Sequence, residues 1–457
     1  MTISFDIKKT DAFDVIVCGG GCAGVIAAVA AAREGASVAL LERSGELGGT
    51  ANAVLVGPFM TCYSPDGKRQ LVGGIFDELI RRMEAKGGAI HPAKTGRVSS
   101  YAGFLPEEYR HNNVTPFHPG YLNIVMAEML SESGVKVFLN TAAVEVLKNE
   151  TEKTVTGIAA YDGREFRLFT GRIVIDCTGD AEVAYRAGAA CVQGEDGDKT
   201  AIQPMSLFFW IYNADDKKLE AYLDQDPANR FRPFHEMIEE DRQKGQFPIP
   251  RNKLGLYHMV NEGEWRLNTT RVQGYDPCDP DSLTEAYFES LRQVDFLLRY
   301  FKKCPGLENA RLSQIGSQIG VRESRRIVGE YTLTKEDIVE GREFDDTIAL
   351  CSYMMDLHPS KGTAGGGGDE EPCAPVYAIP YRILVPRDIR NMLVAGRCVS
   401  ADREALAAIR VIPPVMAMGE AAGVAAAICA RKLAAPKDID PEELREHLRK
   451  NGAEVDL

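Results

Sequence analysis

The feature that most constrains this chain is a glycine pattern, Gly19-x-Gly21-x-x-Gly24, set between a strand-like and a helix-like segment. Residues 14–18 (DVIVC) read as a short buried strand. VIAAVAAAREG, after the glycines, reads as an Ala-rich helix ending near Gly35, and ASVALLE as a second strand ending at Glu42. Strand, glycine turn, helix and strand within about 30 residues form a βαβ unit. In such a unit the first glycine permits the turn, the second lets the backbone approach a pyrophosphate, and the third lets helix and strand pack closely. The helix N-terminus then offers free N–H groups and a partial positive charge to the phosphates. Glu42 lies 18 residues past Gly24, where a ribose-binding acid is expected. An acid there suits an unphosphorylated ribose, which predicts FAD or NAD rather than NADP.

Two later segments repeat the theme of a strand ending in a glycine turn. The first is RIVI followed by Asp176-Cys177-Thr178-Gly179-Asp180. Its turn reads either as part of a cofactor edge or as an ordinary turn with Asp180 capping a helix. The second is NMLVAGR followed by the helix-like PPVMAMGEAAGVAAAICARKL. Gly419, Ala422, Gly423 and Ala426 fall on one face of that helix and allow close backbone approach. Its N-terminus, with Pro413 in the first turn, would place N–H groups toward a bound ring and stabilise negative charge there. The alternative is a packing helix with no ligand.

Between these pieces, KVFLN, AVEVL, TVTGIAAY and EFRLF read as short strands of an antiparallel meander, and residues 56–119 show no long period. Residues 200–385 hold both tryptophans, the helical stretch LTEAYFESLRQVDFLLRYFKK and a loop with glycines 365–368. The tail after Pro436 reads as one short polar helix.

The formal net charge of -13 argues against a nucleic-acid backbone as partner. None of the eleven cysteines forms Cys-x-x-Cys, which weakens zinc-ribbon, iron–sulfur and dithiol readings and leaves no metal expected. MTISFDIKKT carries no apolar signal core, and the longest apolar run, Val415 to Cys429, contains Glu420. A cytoplasmic protein without a membrane partner is expected.

Taken together, the residues resemble the large FAD-dependent oxidoreductases of the glutathione-reductase superfamily, in the fumarate-reductase-like branch, and within it the FAD-dependent oxidoreductase family. The segments that carry the resemblance are DVIVCGGGCAGVIAAVAAAREGASVALLE, LGGTANAVLVGPFM, RIVIDCTGDAEVAYRAGA, AIQPMSLFF, IGVRESRRIVGEYTLT and NMLVAGRCVSADREALAAIRVIPPVMAMGEAAG. They span nearly the whole chain. The resemblance implies an α/β fold: a discontinuous Rossmann-type FAD-binding domain (residues 12–55, 120–200 and 386–435, parallel sheet plus β-meander). An inserted α+β substrate region (56–119 and 201–385) and a helical tail (436–457) complete it. Carried over by position, Gly19, Gly21, Cys22 and Gly24 would hold the pyrophosphate, Glu42 the adenosine ribose, and Arg43 would flank the adenine side. Gly49 and Thr50 would line the flavin entrance, Val144 would offer backbone contacts to adenine, and Gly179, Gly396 and Pro413 would sit near the cofactor. Many relatives place Gly-Asp near the C-terminus, with the acid on the flavin ribitol. This chain has Gly396-Arg397, which leaves that contact open.

For the substrate, Arg322 (in GVRESRR), Arg403 and Arg410 could clamp an anion or a polyol, and His358 could move a proton. A mobile loop from Ser360 to Asp369 could gate entry. Arg–Glu pairs at helical spacing also form surface bridges, and a loop histidine is often structural. The expected function is hydride transfer between FAD and a small acid or sugar-like molecule, with an unidentified electron partner and self-association left open. The rival readings are an electron-relay subunit, which usually brings cysteine clusters, and a nucleic-acid-modifying flavoprotein, which the charge disfavours.

Overall fold

A computed structural model of the chain describes residues 6–95, 113–195, 197–226, 229, 232–362 and 373–457. Glycines 365–368 and most of the 360–369 loop lie outside them.

The glycine pattern opens the main sheet as expected. Strand β1 (Ile7–Cys18) leads through the glycines into helix α1 (Cys22–Arg33), then into β2 (Val38–Leu41). Further strands are β3 (Lys136–Phe138), β4 (Ala142–Asn149), β5 (Thr154–Tyr161) and β6 (Phe166–Asp176). The order is β3-β2-β1-β6-β5-β4, and Met392–Val394 also pairs with β6 as the seventh strand. β1 pairs with β2 and β6 in parallel, β2 with β3, and β6 with Met392–Val394. The central strands are apolar because both faces are covered. On one face, α1 and the helix Ile412–Lys432 pack against Val15 and Val17. On the other, meander residues Val146, Val155 and Ile158 pack with the short helix Glu182–Ala187 against Ile16 and Cys18.

Two details differ from expectation. KVFLN does not join the meander. It is β3, parallel to β2, because the helix Pro119–Glu132 supplies the crossover that parallel strands require. EFRLF and RIVID are one continuous strand, β6. On one side β6 runs beside β1 throughout. On the other it pairs first with antiparallel β5 and then with Met392–Val394.

The helix Ile412–Lys432 is long and apolar enough to cross a membrane, yet most of it is buried inside the protein. Its small-residue face meets α1. A Cβ on Gly419 would lie 2.3 Å from the Ala23 carbonyl oxygen, and one on Gly423 2.2 Å from that of Ala27. The close approach is therefore to a helix backbone. Residues 209–315 build a separate antiparallel sheet, ordered Arg311–Ile315, Phe209–Tyr212, Trp265–Leu267, Leu256–His258. The helix Pro280–Tyr300 packs its Val294 and Leu297 into the same core as Phe209 and Trp265. Asp279 caps that helix by accepting from the Ser282 N–H at 2.9 Å, with proline at its first position.

Candidate functional site

Sheet register brings the glycine turns together. Cys18 is paired with Leu41 on one side and Asp176 on the other, and Asp176 with Val394. These four residues end parallel strands at one edge, where ligands of open α/β sheets bind. The chain leaves that edge through Gly19–Gly21, Gly179 and Gly396. Gly19, at φ +102°, has no room for a side chain: a Cβ would stand 2.5 Å from the Cys177 carbonyl oxygen.

A cavity of about 1070 Å³ opens along this edge. Gly19, Gly21, Cys22, Glu42, Arg43, Gly49, Thr50, Gly179 and Gly396, all expected near a cofactor, line it. Gly24, Val144 and Pro413 do not. Gly24 packs against the turn, where a Cβ would fall 1.8 Å from the Gly19 carbonyl oxygen. Val144 is skipped at a bulge between β4 and β5, next to Ala142 and Ala143, which do line the wall. Pro413 lies within the first turn of its helix, whose Val411, Ile412 and Val415 reach the cavity. That helix offers fewer donors than expected. Pro413 and Pro414 have no N–H, and the Val415 N–H bonds to the Val411 carbonyl at 3.2 Å. Ile412 carries the first-turn N–H that has no acceptor within the helix.

The residues present fit a dinucleotide. A Cβ on Gly21 would meet only the Gly49 Cα, at 3.9 Å, so its face is open to the cavity. The adjoining first turn of α1 presents Cys22 and Ala23, whose N–H groups have no acceptor within the helix. Glu42 closes the loop as well as facing the cavity. Its Oε2 accepts from the Gly20 N–H at 2.6 Å and its Oε1 from the Ser44 N–H at 2.7 Å.

The Gly-Arg turn has a counterpart. Arg397 Nη2 donates to Asp180 Oδ1 at 2.6 Å, and both residues line the cavity. Burial pushes the Asp180 carboxyl up, but Arg397 and the Ser324 hydroxyl hold it below the usual carboxylate value. An acid thus stands at this edge, delivered by the turn after β6.

At the far end of the cavity, Arg322 and Arg410 reach the wall with Asp356, Tyr353 and Asn268. Neutral acceptors fix Arg322: Nη1 donates to the Pro204 carbonyl at 2.6 Å and Ser206 Oγ at 2.9 Å. Arg410 Nη2 donates to the Asp356 carbonyl at 2.9 Å and Gln203 Oε1 at 3.2 Å. Burial, with the like charges of Arg251 and Arg410, pushes the Arg322 guanidinium well below its usual pKa.

His358 does not reach the cavity. Arg271 Nη1 lies 3.4 Å from its Nδ1 and Asp356 Oδ2 lies 3.3 Å from its Nε2. Arginine only donates, so Nδ1 accepts and Nε2 carries the proton toward Asp356. Burial pushes the ring down to about 3, against the pull of Asp356. A neutral imidazole with both nitrogens engaged does not move a proton at neutral pH. The expected acid–base role does not fit this placement. Asp356, held well below the usual carboxylate range by His358, Arg410 and Arg322 despite burial, takes the position facing the cavity.

Arg403 is also elsewhere. Its Nε donates to Glu323 Oε1 at 2.9 Å and its Nη1 to Glu195 at 2.6 Å. Glu323 is fully buried and also accepts from Arg326 and the Gln203 N–H. Arg403 thus belongs to an internal network rather than to the cavity wall. Asp356, Tyr353, Asn268 and Gln203 were not anticipated. The only local signal was Asp356, two residues before His358, where alternate residues of an extended segment share a face.

A model of the family described as FAD dependent oxidoreductase matches residues 14–448. Among solved structures, the chain is similar to a geranylgeranyl bacteriochlorophyll reductase-like protein from Thermoplasma acidophilum. The identity is 15%, the match covers 96% of this chain and 83% of that one, and the TM-score is 0.45. It is also similar to the myxobacterial chondrochloren halogenase CndH (15% identity, 96% and 79% covered, TM-score 0.46). A third is p-nitrophenol 4-monooxygenase PnpA from Pseudomonas putida DLL-E4 (12%, 96% and 84%, 0.45). The family match runs over nearly the whole length and meets a glycine-lined cavity at the carboxyl edge of a parallel sheet: this chain belongs to the FAD dependent oxidoreductase family and is an enzyme with FAD as its cofactor.

Proposed function

We propose that the protein transfers hydride between its flavin and a small polar molecule, an acid or a sugar-like alcohol. The observation that carries this reading is the continuity of one cavity, from the glycine loop and Glu42 at one end to Arg322, Arg410 and Asp356 at the other. When bound, FAD supplies the two-electron chemistry. The protein supplies position and charge. Gly19–Gly24 and α1 would hold the pyrophosphate, with Glu42 toward the ribose. Val144 would lend backbone at the adenine end, and Arg43, Gly49, Thr50, Gly179, Gly396 and Pro413 would shape the walls. Arg322 and Arg410 would orient the substrate. Asp356 would accept a hydrogen bond from a substrate hydroxyl, while His358 and Arg271 hold that carboxylate in place.

The test is an anaerobic screen of small acids and sugar alcohols for bleaching of the oxidised flavin absorbance. Stopped flow with the bleaching compound follows, using Arg322→Ala and Arg410→Ala. Both variants should keep FAD and lose about tenfold or more in reduction rate or substrate affinity, the range for a charge-assisted bond. Wild-type reduction in both would overturn this placement of the substrate.

A further inference from the structure

We propose that the substrate half of the cavity selects a small dianion, a dicarboxylate or a phosphate monoester, over a neutral polyol or a monoanion. This rests on the same cavity being the flavin site, and it decides between the acid and the sugar-like alcohol left open above.

The first observation is charge. Arg322 and Arg410 stand on the wall and Arg271 lies directly behind, 2% exposed and in contact with His358. Among the described residues, Asp356 is the carboxylate that lines this end. Three guanidinium charges meet one carboxylate, Arg251 adds a further like charge on Arg322, and the neutral His358 adds none. The guanidiniums are fixed mostly by neutral acceptors: the Pro204, Asp356 and Pro359 carbonyls, Ser206 Oγ, Asn268 Oδ1 and Gln203 Oε1. Such bonds set geometry without cancelling charge.

The second observation is position. Arg322, Arg410 and the Asn268 amide line this end of the cavity together, so two fixed guanidiniums and a neutral polar group meet the same occupant. An occupant with two anionic groups answers both features. A dianion brings two negative charges and several acceptor oxygens. A polyol would leave the surplus charge desolvated and uncompensated, which is costly.

The test uses the holoenzyme and reads perturbation of the visible flavin spectrum at constant ionic strength. Malonate, its monoamide and its diamide keep size while losing one charge at a time. Glycerol phosphate and glycerol form the second arm and separate a phosphate source from a carboxylate source. At least one dianion should bind about tenfold to hundredfold tighter than its partner lacking one charge, the span of one charge-assisted bond. Arg410→Gln, checked for retained FAD, should remove most of that advantage, with Arg322→Gln as the second variant. Equal affinity across the charge series, tighter binding of glycerol or the diamide, no response to any probe, or an undiminished advantage in both FAD-loaded variants would overturn the proposal. A purified protein that takes up no FAD would instead overturn the reading on which it rests.

Discussion

Nε2 of His358 lies 3.3 Å from Oδ2 of Asp356, and of the two only Asp356 reaches the cavity. Arg271 occupies the other ring nitrogen, so the imidazole stays neutral with its proton on Nε2. The His358 ring should therefore show no titration across the neutral range by NMR, its signal being assigned by difference with His358→Gln. An inflection near the ordinary imidazole value of about 6.5 would contradict the arrangement.

Arg397 and Asp180 form a second pair with a measurable coupling. Both are mostly buried, and removing one partner strands the other's charge. Arg397→Met and Asp180→Asn should each lower FAD retention and Tm, and the double variant should lose less than the sum. A coupling of roughly 0.5–3 kcal/mol from the double-mutant cycle is expected. Strict additivity would show that the pair does not act as a unit.

Glu420 gives a pH dependence of stability. It is 2% exposed inside the long helix, and its Oε2 accepts from the Ile75 N–H at 3.0 Å. Burial pushes its carboxyl up to about 8 from an ordinary value of 4.5. The folded state therefore binds a proton that the unfolded chain releases. Its contribution to stability is complete below about 4.5 and is lost as pH rises through about 8. Glu420→Gln should flatten Tm against pH in that window and be relatively more stable at its upper end. Parallel profiles for the two proteins would refute the assignment.

Glu42→Gln tests the ribose end. A carboxylate accepts from both Gly20 and Ser44, whereas an amide has one oxygen. The variant should hold FAD about tenfold to hundredfold more weakly by equilibrium titration, the range for a charge-assisted bond. Unchanged affinity would remove Glu42 from the cofactor site.

What could be read from the sequence was local. The βαβ unit shows because Gly19 to Glu42 are contiguous and their spacing is imposed by one turn, one helix and one strand. The Gly74–Ala85 helix was missed although its signal is present: Ile75, Phe76, Leu79, Ile80 and Met83 are buried at three- and four-residue spacing. Short glycine- and proline-rich flanks hid it. The arginine end of the cavity was only partly legible. Arg322 and Arg410 were found by residue type, but Gln203, Asn268, Arg271 and Asp356 come from segments far apart that only tertiary packing brings together. For the same reason Arg403 could not be told from Arg410: the buried Glu323 that claims it lies 80 residues away.

The central claim is that the glycine-lined cavity holds FAD, and flavin content measures it most directly. The purified protein should be yellow and release one FAD per chain on denaturation. Gly21→Val, which puts side-chain atoms into the open face beside Gly49, should fold and bind essentially none. A colourless wild-type protein that takes up no FAD, or a valine variant with full flavin content, would contradict the account.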